Sequence, residues 1–216
     1  MGVCPAGARH TRPGYSIGGA SGNRSPSRVL TLKSVAGVGS HDVALPPKLV
    51  VFAGLPGTGK STLARTVAGR LDAVWLRVDT LEAALLKAGL TKSFETGLAA
   101  YIGVRDIAAE QLESGRSVVI DAVNGVEPAR RMWRELSETF GATRYVVEVT
   151  CSDLVAHRAR VESRAGQTPP LPSPTWDEVV HREYQRWGEP LLSVDGMNSP
   201  EQNIRRILEY CSTTAR

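Results

Sequence analysis

Leu49, Val50, Val51 and Phe52 form an unbroken apolar run between Lys48 and a glycine-rich stretch. A short run of this kind reads as a strand buried on both faces. Just beyond it, Leu63, Val67 and Leu71 recur four residues apart, which gives a helix one apolar face. The same exchange of short apolar runs for longer amphipathic stretches continues to the end of the chain. It predicts strands over 48–53, 73–78, 117–121, 144–150 and 191–194. It predicts helices over 60–71, 80–88, 95–114, 127–140, 152–164, 175–187 and 200–212. Strands that alternate with helices make a parallel sheet with crossover helices, so the expected fold is α/β with a five-stranded parallel sheet. Open α/β sheets bind ligands beyond the C-terminal ends of their strands. The residues that follow each strand are therefore the ones to read for chemistry.

Residues 1–44 break this pattern. They are rich in Gly, Ser, Arg and Pro and show no sustained periodicity before Val29, so we expect a disordered extension ahead of a domain over 45–216. They also change the meaning of the charge. The whole chain carries +4, but the extension holds five basic residues against Asp42 alone. The remainder holds 21 basic and 21 acidic residues, so it lacks the basic domain that a nucleic-acid footprint requires. No apolar run approaches 18 residues, and a membrane span is not expected. Cys4, Cys151 and Cys211 are few and far apart, which suits reduced thiols in the cytoplasm.

Between the first strand and its helix, Gly54 to Ser61 fits G-x-x-x-x-G-K-[ST], the phosphate-binding loop. Gly54, Leu55, Pro56, Gly57, Thr58, Gly59, Lys60, Ser61 and Thr62 are the expected nucleotide-binding residues. The glycines let the backbone approach an anion closely, and the helix start presents free amides and a positive dipole end. Lys60 is expected on the β- and γ-phosphates, with the Ser61 hydroxyl on Mg²⁺.

Asp79 follows the second strand, where it can cap a helix or take a proton from a substrate hydroxyl. Asp121 ends the third strand in VVID, as a carboxylate that supports Mg²⁺ does. The next residue is Ala122 rather than a glutamate that would activate water, and Asn-Lys-x-Asp is absent. The phosphoryl acceptor is then expected to be a substrate hydroxyl. After the fourth strand come Arg158, Arg160 and Arg164 on one predicted helix, followed by a Gly/Pro-rich loop expected to move. Arg158 and Arg160 diverge by about 200° on a helix, whereas Arg160 and Arg164 share a face. Such arginines can stack on a base or neutralise charge on a transferring phosphoryl group. Phe94 and Tyr101 are expected in the core, and Trp176, Tyr184 and Trp187 as packing for the last crossover.

The stretches GLPGTGKST at 54–62, VDTLEAAL at 78–85, VVIDAVN at 118–124, CSDLVAHRARVESR at 151–164 and PTWDEVV at 174–180 resemble one group of proteins. These are the P-loop kinase-type AAA-family ATPases and predicted kinases, among them polynucleotide kinase, zeta toxins, gluconate kinase and chloramphenicol phosphotransferase. The resemblance implies a compact nucleoside-kinase-like fold with a small arginine-bearing lid and Mg·ATP as donor. It further implies Asp79 as general base, Arg160 and Arg164 as catalytic lid residues, and Arg158 as a nucleotide contact. Polynucleotide kinases follow the base with Asp-x-x-Arg, and here the last position is Glu82. The expected activity is transfer of phosphate from ATP to a hydroxyl of a small molecule. The alternatives are a polynucleotide or nucleotide-sugar kinase, and an ATP-binding switch with little turnover.

Overall fold

The computed structural model describes residues 45–164 and 173–213. The expected disordered extension and the Gly/Pro-rich loop at 165–172 lie outside the described residues.

The elements run β1 (Lys48–Ala53), α1 (Lys60–Arg70), β2 (Val74–Arg77), α2 (Val78–Lys87), α3 (Phe94–Glu113) and β3 (Val118–Asp121). They continue with α4 (Glu127–Thr139), β4 (Thr143–Thr150), α5 (Leu154–Glu162), α6 (Trp176–Val180), β5 (Leu192–Asp195) and α7 (Pro200–Tyr210). The five strands form one sheet in the order β2-β3-β1-β4-β5, and every pairing is parallel. β1 is central, which is why its apolar run has no polar alternation. Val50 and Phe52 pack with Leu63 and Val67 of α1 and Ile207 of α7. Leu49 and Val51, turned to the opposite face, pack with Val104 of α3 and Trp133 of α4. The register sets Phe52 and Arg77 beside Asp121, and Thr150 beside Asp195, at the C-terminal edge.

Four expectations need correction. The helix predicted over 175–187 stops at Val180. Beyond it, the amide of Gln185 donates to the carbonyl of Gly125, and the carbonyls of Gln185 and Arg186 accept from Arg130. Backbone groups tied to α4 and its leading loop are not free for helical bonds. α2 begins at Val78 directly after β2, so Asp79 lies inside the first turn and Arg77 takes the cap position. Asp79 is therefore not the N-cap, although its charge still suits the helix start. α5 ends at Glu162, which leaves Arg164 on the turn beyond it. Finally, Phe94, the first residue of α3, is 79% exposed, whereas Tyr101 is partly buried against the core beside Trp133.

Candidate active site

The phosphate loop spans 54–59 between β1 and α1. Gly57 has a φ of 88°, and a Cβ there would come within 2.6 Å of Val161 on α5. Glycine thus serves both the turn and the close approach of the lid helix. Gly59 takes the N-cap position of α1 and supplies no side-chain cap. Among the described residues, the amides of Gly57, Gly59, Lys60 and Ser61 donate to no partner. Lys60 is only 6% exposed and forms no ion pair or hydrogen bond among the described residues. Asp121 is the nearby carboxylate for this ammonium, and the free loop amides beside it leave room for a further anion.

Asp121 ends β3 beside this loop and is 2% exposed. Burial pushes its carboxyl above the ordinary aspartate range, opposed by the nearby Lys60 ammonium, Ser61 hydroxyl and Arg77 guanidinium. Its Oδ2 is buried without a hydrogen-bond donor. Arg77 Nε lies 3.2 Å from that oxygen as an ion pair, out of line for a hydrogen bond. The same guanidinium lies 3.6 Å from Asp79 Oδ2. Asp79 is half-exposed and so open to an incoming molecule. Beside it, burial and the Asp79 charge raise Glu82, and burial raises the Tyr101 phenol to about 12. Lys60, Ser61, Asp79 and Asp121 are thereby brought to one end of the sheet.

On the other side of the loop, a cavity of about 300 Å³ opens between the loop, the end of α5 and the β5–α7 connection. Arg160 and Arg164 both line it, together with Thr62, Asn198 and Asn203. Arg160 donates to the carbonyl of Gly196 at 3.2 Å. Arg158 is not brought there. It is exposed and pairs with Glu162 one turn on.

The AAA_33 family model, an AAA domain, matches residues 49–190. The chain belongs to this family. Its architecture is that of the P-loop kinases. A candidate kinase from Chloroflexus aurantiacus superposes with a TM-score of 0.64 at 21% identity, covering 76% of this chain and 98% of that one. A sugar kinase from Janibacter sp. gives 0.60 at 18% identity, over 77% and 95% of the two chains. The Mycobacterium tuberculosis APS kinase CysC, solved with AMPPNP and APS, gives 0.59 at 21% identity, over 78% and 99%. These likenesses establish the fold. Among curated proteins, the ATP-dependent zinc metalloprotease FTSH 9, chloroplastic, of Arabidopsis thaliana is 34% identical over 88 residues. The match takes in 40% of this chain and 10% of that protein, so the chain spans a small part of its length.

Several further residues that shape the site carried no sequence signal. His157 Nε2 donates to the carbonyl of Pro56 at 2.8 Å, and its ring stands edge-on to Trp176. Asn203 Nδ2 donates to the carbonyl of Asp195 at 2.7 Å, which leaves its buried Oδ1 without a donor in the cavity wall. Asn124, at a φ of 49°, accepts from Trp133 Nε1 and donates to the carbonyl of Phe52. Arg130 is buried and donates to the carbonyls of Asn124, Gly125, Gln185 and Arg186 while lying over Trp187. One residue separates Arg77 from Asp79 in the chain, but the pairing of Arg77 with Asp121 comes from the β2–β3 register.

Proposed function

We propose that this domain transfers the γ-phosphoryl group of ATP to a hydroxyl of a small molecule. The observation that carries the reading is the meeting of a buried, unpartnered Lys60 with Asp121 and an accessible Asp79 at one sheet end. The free loop amides and Lys60 bind the β- and γ-phosphates. Thr62 and the cavity bounded by Arg160 and Arg164 receive the rest of the nucleotide.

Ser61 and Asp121 are the oxygen donors that would hold Mg²⁺, and the buried Oδ2 without a donor fits a hard cation. Bound there, Mg²⁺ would offset the charge of the phosphate oxygens. Asp79 orients the acceptor hydroxyl and takes its proton. The acceptor oxygen bonds to the γ-phosphorus as the bond to the β–γ bridging oxygen breaks, and ADP leaves with that electron pair. From the nucleotide cavity, Arg160 and Arg164 would add positive potential that opposes the negative charge of the phosphate oxygens.

The acceptor side mixes charges. Glu82 lies within electrostatic reach of Asp79 and of the cations Lys92 and Arg182. A balanced surface suits a small polar acceptor better than a polyanion such as a nucleic acid. Among the described residues no helix is long and apolar enough to cross a membrane. Cys151 and Cys211 are free thiols, which fits a reducing cytoplasm.

The test supplies ATP, Mg²⁺ and a fractionated metabolite extract, and follows phosphate gain by mass spectrometry. The expected result is one class of hydroxyl compound phosphorylated by the wild type, with Asp79→Asn reduced 10²–10⁴-fold, the usual contribution of a general base. ATP affinity should be the same in both. Tight ATP binding with no phosphorylated product would sink the kinase reading and favour a nucleotide-operated switch.

A further inference from the structure

Arg77 carries no role in the reading above, yet it is the cation closest to both of its carboxylates. It ends β2, and the parallel register sets it directly opposite Asp121 at the end of β3. Its Nε is 3.2 Å from Asp121 Oδ2 and one terminal nitrogen is 3.6 Å from Asp79 Oδ2. On the other side, the guanidinium carbon lies 5.6 Å from the centre of the Trp75 ring. The side chain is thus held between an aromatic face and two acids.

This arrangement is directional. Asp121 is buried, Asp79 is half-exposed, and two carboxylates at one sheet end repel each other. A guanidinium between them offsets that repulsion and presents separate N–H groups to each. The Nε–Oδ2 pair is close but misaligned, and neither atom has another partner. The oxygen that would face a cation is therefore approached by Arg77 without being saturated by it.

We propose that Arg77 is a positioning residue for Asp121, holding it in place beside Asp79, and that its charge weakens divalent-cation binding at Asp121. This rests on the reading of Asp121 as a metal-supporting carboxylate. The Arg77 charge lowers the attraction of Asp121 for a free cation, so a stable metal site forms only when nucleotide phosphates add their own negative charge. The positive charge at the end of β2 thereby links metal binding to nucleotide binding.

The experiment titrates Mn²⁺ into the nucleotide-free full chain and reads free Mn²⁺ by electron paramagnetic resonance. It compares the wild type, Arg77→Met, Arg77→Lys, Asp121→Asn and the Arg77→Met/Asp121→Asn pair, each checked for folding by circular dichroism. Arg77→Met is expected to bind Mn²⁺ at least fivefold more tightly than the wild type. Arg77→Lys, which keeps the charge, should stay within twofold of the wild type, and the paired variant should lose the gain. A purely structural role for Arg77 would not raise metal affinity or be rescued by lysine. Equal affinity in Arg77→Met and the wild type, with Asp121→Asn weakened, overturns the proposal alone. A gain in Arg77→Met that survives in the paired variant overturns the metal reading of Asp121 and the proposal with it.

Discussion

His157 of α5 donates from Nε2 to the carbonyl oxygen of Pro56, 2.8 Å away and 101 residues earlier in the chain. The contact ties the lid helix to the phosphate loop at the point where Gly57 leaves room for it. A partly buried hydrogen bond is worth about 0.5–1.5 kcal/mol, or roughly 2- to 13-fold in an equilibrium. His157→Phe keeps a ring against Trp176 and removes the donor. ATP affinity measured by calorimetry is expected to fall roughly three- to tenfold. Affinity within 1.5-fold of the wild type would show that packing alone holds the loop.

Gly196 lies where the β5–α7 connection crosses the loop. A Cβ there would stand 2.0 Å from the Thr58 carbonyl oxygen, and its φ imposes no left-handed conformation. Gly196→Ala therefore acts by steric push alone. It should displace the connection that carries Asn198 and the Arg160 contact, and lower ATP affinity by about tenfold or more, a change of about 1.4 kcal/mol. A structure of the variant with the loop unmoved and affinity intact would refute this.

Lys60→Ala removes the buried cation of the loop. Charged or strong donors at such sites are worth roughly 2.7–4 kcal/mol each in transition-state stabilisation, so turnover should fall on the order of 10³-fold. Steady-state ADP release reads the effect. Turnover within threefold of the wild type would remove Lys60 from the mechanism.

Arg130→Met leaves the carbonyls of Asn124, Gln185 and Arg186 without a donor, while Gly125 keeps the Gln185 amide, and it removes the cation from Trp187 and Tyr184. Stranded buried acceptors cost about 1–3 kcal/mol each, less where solvent reaches them. A loss of about 3 kcal/mol in urea unfolding is expected. At about 2–4 °C per kcal/mol for a domain of this size, the melting temperature should drop by roughly 6–12 °C. A drop below 2 °C would mean that water replaces the arginine at little cost.

Much of the fold was legible in the apolar runs, because a central parallel strand such as Leu49–Phe52 must be apolar on both faces. The five strands and the phosphate loop follow from local pattern, and strand-end placement singled out Asp79 and Asp121. The chain alone could not say where α6 stops, since its end depends on Arg130 capturing carbonyls some 55 residues away. Helical spacing set Arg158 apart from Arg160 and Arg164, but the chain alone could not say which face meets the cavity. The first is satisfied by Glu162 on its own helix, while the other two meet a cavity made partly by β5 and α7. Sequence by itself determined the elements and the anion-binding chemistry of the loop, because both depend on residues close together in the chain. Tertiary structure alone decided the Arg77–Asp121 pairing, the His157 tether and the cavity wall. Each depends on sheet register or on contacts between residues far apart in sequence, which periodicity does not encode.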